Sequence, residues 1–132
     1  YWKQPGVPGV ADFVAAIHKK TNKVPTARTW FGYAALWTCA LVANEAKTLD
    51  AVKLAHALQG FALPPEIALM PGKCFYRAED HQFMPAQYVG RAQAKGSGEY
   101  ASEDLFVVDT VLQGSQTAPP ASETGCKLEW PA

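Results

Sequence analysis

The chain carries no surplus of either charge: twelve Lys and Arg residues stand against twelve Asp and Glu. It therefore has no basic stripe to follow a phosphate backbone, which argues against a nucleic-acid partner. It also lacks the Lys/Arg-rich amphipathic face that lies on membrane surfaces. Its one long apolar run, Trp30 to Ala43, falls short of the roughly 20 residues that span a bilayer. Cysteine is scarce. Cys39, Cys74 and Cys126 fit no zinc spacing. No spacing joins His18, His56 or His81 to a cysteine or carboxylate as a catalytic triad, so neither a metal site nor a catalytic site is expected. There is no internal repeat. There is no initiating Met and no signal peptide at Tyr1-Trp2-Lys3-Gln4, and the chain starts in mid-pattern. It reads as a mature fragment or as a piece of a longer protein.

What is present suffices for one folded domain. Charged residues make up 18% and hydrophobic residues 48% of the 132 positions, a balance that favours a packed core over disorder. The centre of the pattern is Arg28 to Ala46. Between Trp30 and Ala43 only Gly32 and Thr38 clearly break the apolar run, and both are small. A helix apolar on every face is expected to be buried on every face. Cys39, within it, is expected to be a small buried hydrophobe. Thr29 is the expected N-cap.

Around this stretch the order is helix, helix, helix, then short strands. Val10, Phe13, Val14 and Ile17 mark one face of a first helix. Asp12 and Lys19-Lys20 suit the dipole at its ends, and Asn22 and Pro25 stop it. Thr48 is read as the cap of a third helix, with Ala51, Leu54, Ala55 and Leu58 as its apolar face and Gly60 as its C′ residue. After Pro64-Pro65, Ile67 to Met70 and Cys74 to Tyr76 read as short strands about a Pro71-Gly72 turn. Arg77 to Gln82 reads as a polar turn, His18 as a dipole partner late in its helix, and His56 as a surface residue. Gln87 to Gln93 and Leu105 to Leu112 read as the best strands, with a flexible loop, Ala94 to Gly98, between them. The tail, Gly114 to Pro120, shows no periodicity. Cys74 and Cys126 fall in loop or strand-edge contexts where they can pair, tying the tail to the strands; two free thiols are the alternative. No run of β-α-β units supplies a parallel sheet to cover the apolar helix.

Several short signals follow one another in a particular order. Lys23-Val24-Pro25 ends the first helix and Gly32-Tyr33-Ala34-Ala35 opens the second. Thr48-Leu49-Asp50 opens the third. Arg77-Ala78-Glu79-Asp80-His81-Gln82, Tyr88-Val89-Gly90 and Thr124-Gly125-Cys126-Lys127-Leu128 follow. Along essentially its whole length the chain resembles the C-terminal portion of the periplasmic substrate-binding proteins of ABC transporters, in the branched-chain amino acid family (type I binding fold). The resemblance implies an α/β protein of two Rossmann-like lobes that closes on a ligand at the carboxyl ends of its strands. It implies that residues 1–87 are the helical and strand part of the first lobe. Residues 88–132 would hold the last hinge crossing, a second-lobe strand and the tail.

What else the resemblance implies is a receptor, not an enzyme. It would be periplasmic, need no cofactor, capture a small amino acid or organic acid, and deliver it to a membrane permease. It places Arg28, Trp30 and Tyr33 at the cleft: Arg28 to clamp a carboxylate, Trp30 as an apolar wall. Competing with this are plain core packing for Trp30 and Tyr33 and a solvated loop position for Arg28. A basic residue at position 28 hints at an acidic or aromatic-acid ligand. Family members are much longer, so apolar surface left uncovered here is expected to drive self-association. A ligand-sensing regulator of the same fold, and a non-catalytic helical interaction module, remain as alternatives.

Overall fold

The computed structural model describes residues 2–130. Tyr1, where the chain starts in mid-pattern, and the last tail residues, Pro131 and Ala132, lie outside the described residues. Helix α1, Val10–Thr21, is launched from Gly9 at φ 77° and closed by Asn22 in the left-handed conformation at φ 55°. It buries Val10 and Val14, two of the four positions its periodicity marks. Gly9 is required twice over. Its φ is positive, and a Cβ there would lie 2.6 Å from the Glu66 carbonyl oxygen.

Helix α2, Ala27–Ala46, is capped by Thr26 and not by Thr29. The two threonines close a reciprocal box: Thr26 Oγ1 accepts the Thr29 amide and Thr29 Oγ1 accepts the Thr26 amide, each at 3.3 Å. The helix is not buried on every face. Trp30, Ala34, Thr38 and Val42 form one buried stripe at a spacing of four. Phe31, Leu36 and Trp37 are exposed, Leu36 at 75%, and Cys39 is exposed too. The cause is the supply of neighbours. Among the described elements, α3 (Ala51–Ala57) and α4 (Pro65–Ala68) pack along α2, while α1, Tyr76 and Phe83 meet it only through single side chains such as Phe13 on Tyr33 and Phe83 near Trp30. Apolar composition states what surface favours burial, not whether anything is there to cover it.

Asp50, not Thr48, caps α3, accepting the Lys53 amide at 3.0 Å. Thr48 Oγ1 instead accepts the Asp50 amide one step earlier, at 3.1 Å. Gly60 takes the positive φ expected of it, 74°, yet its amide donates to the Tyr76 carbonyl at 3.0 Å. Residues 60–63 thus run beside strand β1 (Phe75–Tyr76) as an added edge, with Ala62 bridged to Phe75. Ile67 to Met70 does not form a strand. Pro65 stands in the first turn of α4, where its missing N–H costs nothing, and Leu69 ends it at φ 54°.

The strands form two antiparallel pairs. β1 pairs with β2 (Phe83–Met84), across the Arg77–Gln82 turn the sequence suggested. β3 (Gln87–Ala92) pairs with β4 (Phe106–Leu112), Gln87 opposite Leu112 and Ala92 opposite Phe106, with a register shift at Val89/Gly90. The tail is more ordered than its composition suggests: α5 (Gly114–Thr117) and a 3₁₀ turn (Ala121–Glu123) follow. The core gathers Val10, Val14, Trp30, Ala34, Leu63, Ala68, Leu69 and Cys74.

Cys74 and Cys126 are not bonded to each other. Both thiols are free; Cys74 is 0% exposed within the core, while Cys126 lies exposed in the tail. Burial raises the pKa of Cys74, opposed by a hydrogen bond from the Ala86 backbone. Cys74 is expected from sequence at a loop or strand edge, but packing makes it a core residue, and the exposed tail cysteine, Cys126, is not bonded to it.

Candidate functional site

A cavity of about 520 Å³ opens at the head of α2. One wall is the α1–α2 link, Val24 to Ala27, continued by Trp30 and Phe31. The opposite wall is the β2–β3 link, Pro85–Ala86, with the first residues of β3, Gln87 and Tyr88, and Val10, Phe13, Leu69 and Met70 supply much of the rest. Its lining is mostly apolar, as expected where a small molecule is held by shape and a few polar groups.

Trp30 is the fixed point of the site. Its Nε1–H donates to the Ala68 carbonyl at 2.8 Å, and its ring stacks near Phe83 with centroids 6.0 Å apart. The indole is thereby held in one orientation. The carboxylate in the lining belongs to Glu103, whose Oε2 accepts the Val24 amide at 3.1 Å. Tyr88 is half-buried, and its hydroxyl has no hydrogen-bond partner among the described residues. Burial, with Cys74 nearby, pushes its pKa up to about 12, so it remains a neutral phenol at any physiological pH.

Of the three residues placed at the cleft from sequence, the structure brings Trp30 alone into the cavity lining. Arg28 is exposed and absent from the lining. Tyr33 packs against Phe13 at 4.9 Å and Trp37 at 6.3 Å between ring centroids, which is the packing role that competed for it. Pro85, Gln87, Tyr88 and Glu103 were not singled out as cavity residues. Glu103 lies 79 positions from Val24, and no local pattern announces such a meeting. Among the described residues no group of three or more His, Cys, Asp or Glu could hold a metal ion. No helix among them is long and apolar enough to cross a membrane.

The Arg77–Gln82 turn lies apart from the cavity lining and is a structural clasp. Arg77 Nε donates to Asp80 Oδ1 at 2.9 Å, and an Nη donates to the Pro119 carbonyl at 2.8 Å. The Arg77 side chain, with a hydrogen bond from the Gln82 amide adding to it, lowers the Asp80 pKa to about 2.

The comparisons supply the family of this fold. Residues 1–97 match the family described as periplasmic binding protein, and the chain belongs to it. It is a family of binding proteins and not of enzymes. Two solved structures share the fold. One is an amino acid ABC transporter substrate-binding protein from Pseudomonas fluorescens Pf-5. It is 24% identical with a TM-score of 0.78, over 97% of this chain and 32% of that one. The other is an ABC-type branched-chain amino acid transporter protein from Rhodopseudomonas palustris CGA009. It is 23% identical with a TM-score of 0.71, over 92% of this chain and 31% of that one. The chain thus spans about a third of the length of each. No curated protein sequence matches it.

Proposed function

We infer that this chain is the C-terminal portion of an extracytoplasmic solute receptor. The receptor takes a small amino-acid-like or carboxylate ligand between two lobes and passes it to the permease of an ABC importer. The observation that carries this is the family match over residues 1–97, on a chain whose cavity sits at the head of its longest helix. Both similar structures are transporter proteins for amino acids by their descriptions. In this reading residues 1–87 belong to the first lobe, and residues 88–132 carry the last hinge crossing, a strand of the second lobe and the tail. The periplasm is the matching compartment.

Trp30 serves as the apolar wall of the ligand site. Arg28, on the first turn of α2 but outside the cavity lining, and Tyr33, behind it, act on the ligand from the rim. The exposed face of α2, with Phe31, Leu36 and Trp37, is where the remainder of the first lobe packs. Left bare, it is a surface for self-association.

A thermal-shift screen of the full-length protein against aliphatic and aromatic amino acids, organic acids and neutral amides tests the reading. A shift with one class of amino acid or organic acid is the expected result. No shift with any of them defeats it.

A further inference from the structure

Most of the loop joining β3 to β4, residues 93–104, is tied at three places to the N-terminal segment, the end of α1 and the α1–α2 link. Glu103 Oε2 accepts the Val24 amide at 3.1 Å. The Tyr100 ring lies 4.4 Å from that of His18 near the end of α1, and 6.1 Å from that of Trp2. Lys3 Nζ donates to Asp104 Oδ2 at 2.6 Å and to the Ser97 carbonyl at 3.0 Å. Within the loop lies Ala94 to Gly98, the stretch whose composition suits a flexible loop, tied here by Lys3 at the Ser97 carbonyl. The Lys3–Asp104 pair is the firm one, because the Asp104 side chain is only 5% exposed; the Glu103–Val24 and Tyr100–His18 contacts are more open to water, and each is weak alone.

The loop's backbone suits a hinged piece. Gly96 packs so tightly against the Asp104 carboxylate that no Cβ fits there, whereas Gly98, at φ 77°, faces open space. Tyr100 is held at φ 61°, a conformation a bulky residue keeps only when its surroundings impose it. Two of the tethered residues, Glu103 and Trp2, are themselves part of the cavity lining.

We propose that residues 93–104 are a latch on the cavity. The loop swings about its buried root at Asp104, with Glu103 on Val24 as its catch and Tyr100 on His18 as its brace. Opening withdraws Glu103 from the cavity lining and frees the Val24 amide of the α1–α2 link. That the opening admits a ligand rests on the receptor reading above; that loop and link open together does not.

Amide hydrogen exchange on the ligand-free full-length protein tests the latch. The Val24 amide and the loop amides are expected to exchange through a shared opening, faster than the amides of Ala34 and Thr38 in α2. Tyr100→Ala removes the brace and speeds exchange at Val24 about tenfold, with α2 unchanged. His18→Ala, which removes the same ring pair from the other side, does the same and stands in if the first variant fails to fold. Faster exchange confined to the loop, with Val24 unaltered in both variants, overturns the latch. So does an equal rise throughout α2. The receptor reading fails on a different result, the absence of any ligand-induced thermal shift.

Discussion

Trp30 and Ala68 are joined by a buried hydrogen bond, indole Nε1 to backbone carbonyl, 2.8 Å long across 38 positions of sequence. It fixes the head of α2 to the last residue of α4. It also orients the ring that walls the cavity.

Trp30→Phe keeps an aromatic ring but removes the donor. The Ala68 carbonyl is then left buried without that partner, since Ala68 is 0% exposed. The expected cost is about 1–3 kcal/mol, seen as a lower urea midpoint with an unchanged slope. A midpoint equal to the wild type contradicts the anchoring role.

The Arg77–Asp80 clasp predicts a defined acid limb. Asp80 has a folded-state pKa of about 2 against an ordinary value of 3.8. A depressed carboxylate stabilises the fold above its unfolded pKa and loses that contribution as pH falls through the folded one. The stability difference between wild type and Asp80→Asn should therefore be flat from neutral pH down to about 5. It should shrink through the range between 3.8 and about 2. Urea titrations at a series of pH values read this directly. A difference that grows on acidification rules the clasp out.

The free thiols predict a two-plus-one pattern. Cys39 and Cys126 are exposed and Cys74 is buried, with its pKa raised by that burial. A thiol reagent without reductant should label two cysteines quickly in the native protein and all three in urea. One labelled thiol in urea would instead restore the Cys74–Cys126 bond.

Gly9→Ala introduces a Cβ 2.6 Å from the Glu66 carbonyl oxygen, on a residue at φ 77°. Strain and clash together should cost about 1–3 kcal/mol, measured as a fall in thermal midpoint. Gly60→Ala shares the positive φ but has open space around its Cβ, so its loss should be smaller.

Much of the fold can be read from local pattern where the cause is local. Val10, Phe13, Val14 and Ile17 announce α1 because one face of that helix meets the core and the other meets water. The two longer strands and the Arg77–Gln82 turn follow similarly. Burial of α2 is not readable in this way. The apolar run from Trp30 to Ala43 is the same whether or not neighbours cover it, and here they cover only the Trp30–Ala34–Thr38–Val42 stripe. Ile67 to Met70 has an apolar run that suits a strand, but Pro65 in the first turn starts a short helix there instead. Of the cleft residues that the family resemblance implies, Trp30 borders the cavity while also packing in the core. Glu103 and the β2–β3 link are not legible in the sequence, since tertiary folding alone brings them to the head of α2.

The central claim is that the cavity at the head of α2 receives the ligand. Calorimetric titration of the full-length protein, wild type and Glu103→Gln, with the acid that gives the largest thermal shift tests it most directly. Glu103 contributes to the wall without belonging to the buried core cluster, so the variant should fold. The account predicts saturable binding to the wild type and an affinity changed by about tenfold or more in the variant, as expected when a charged hydrogen-bonding group is lost from a site. Equal affinity in both, alongside an unaltered affinity in Trp30→Phe, would contradict it.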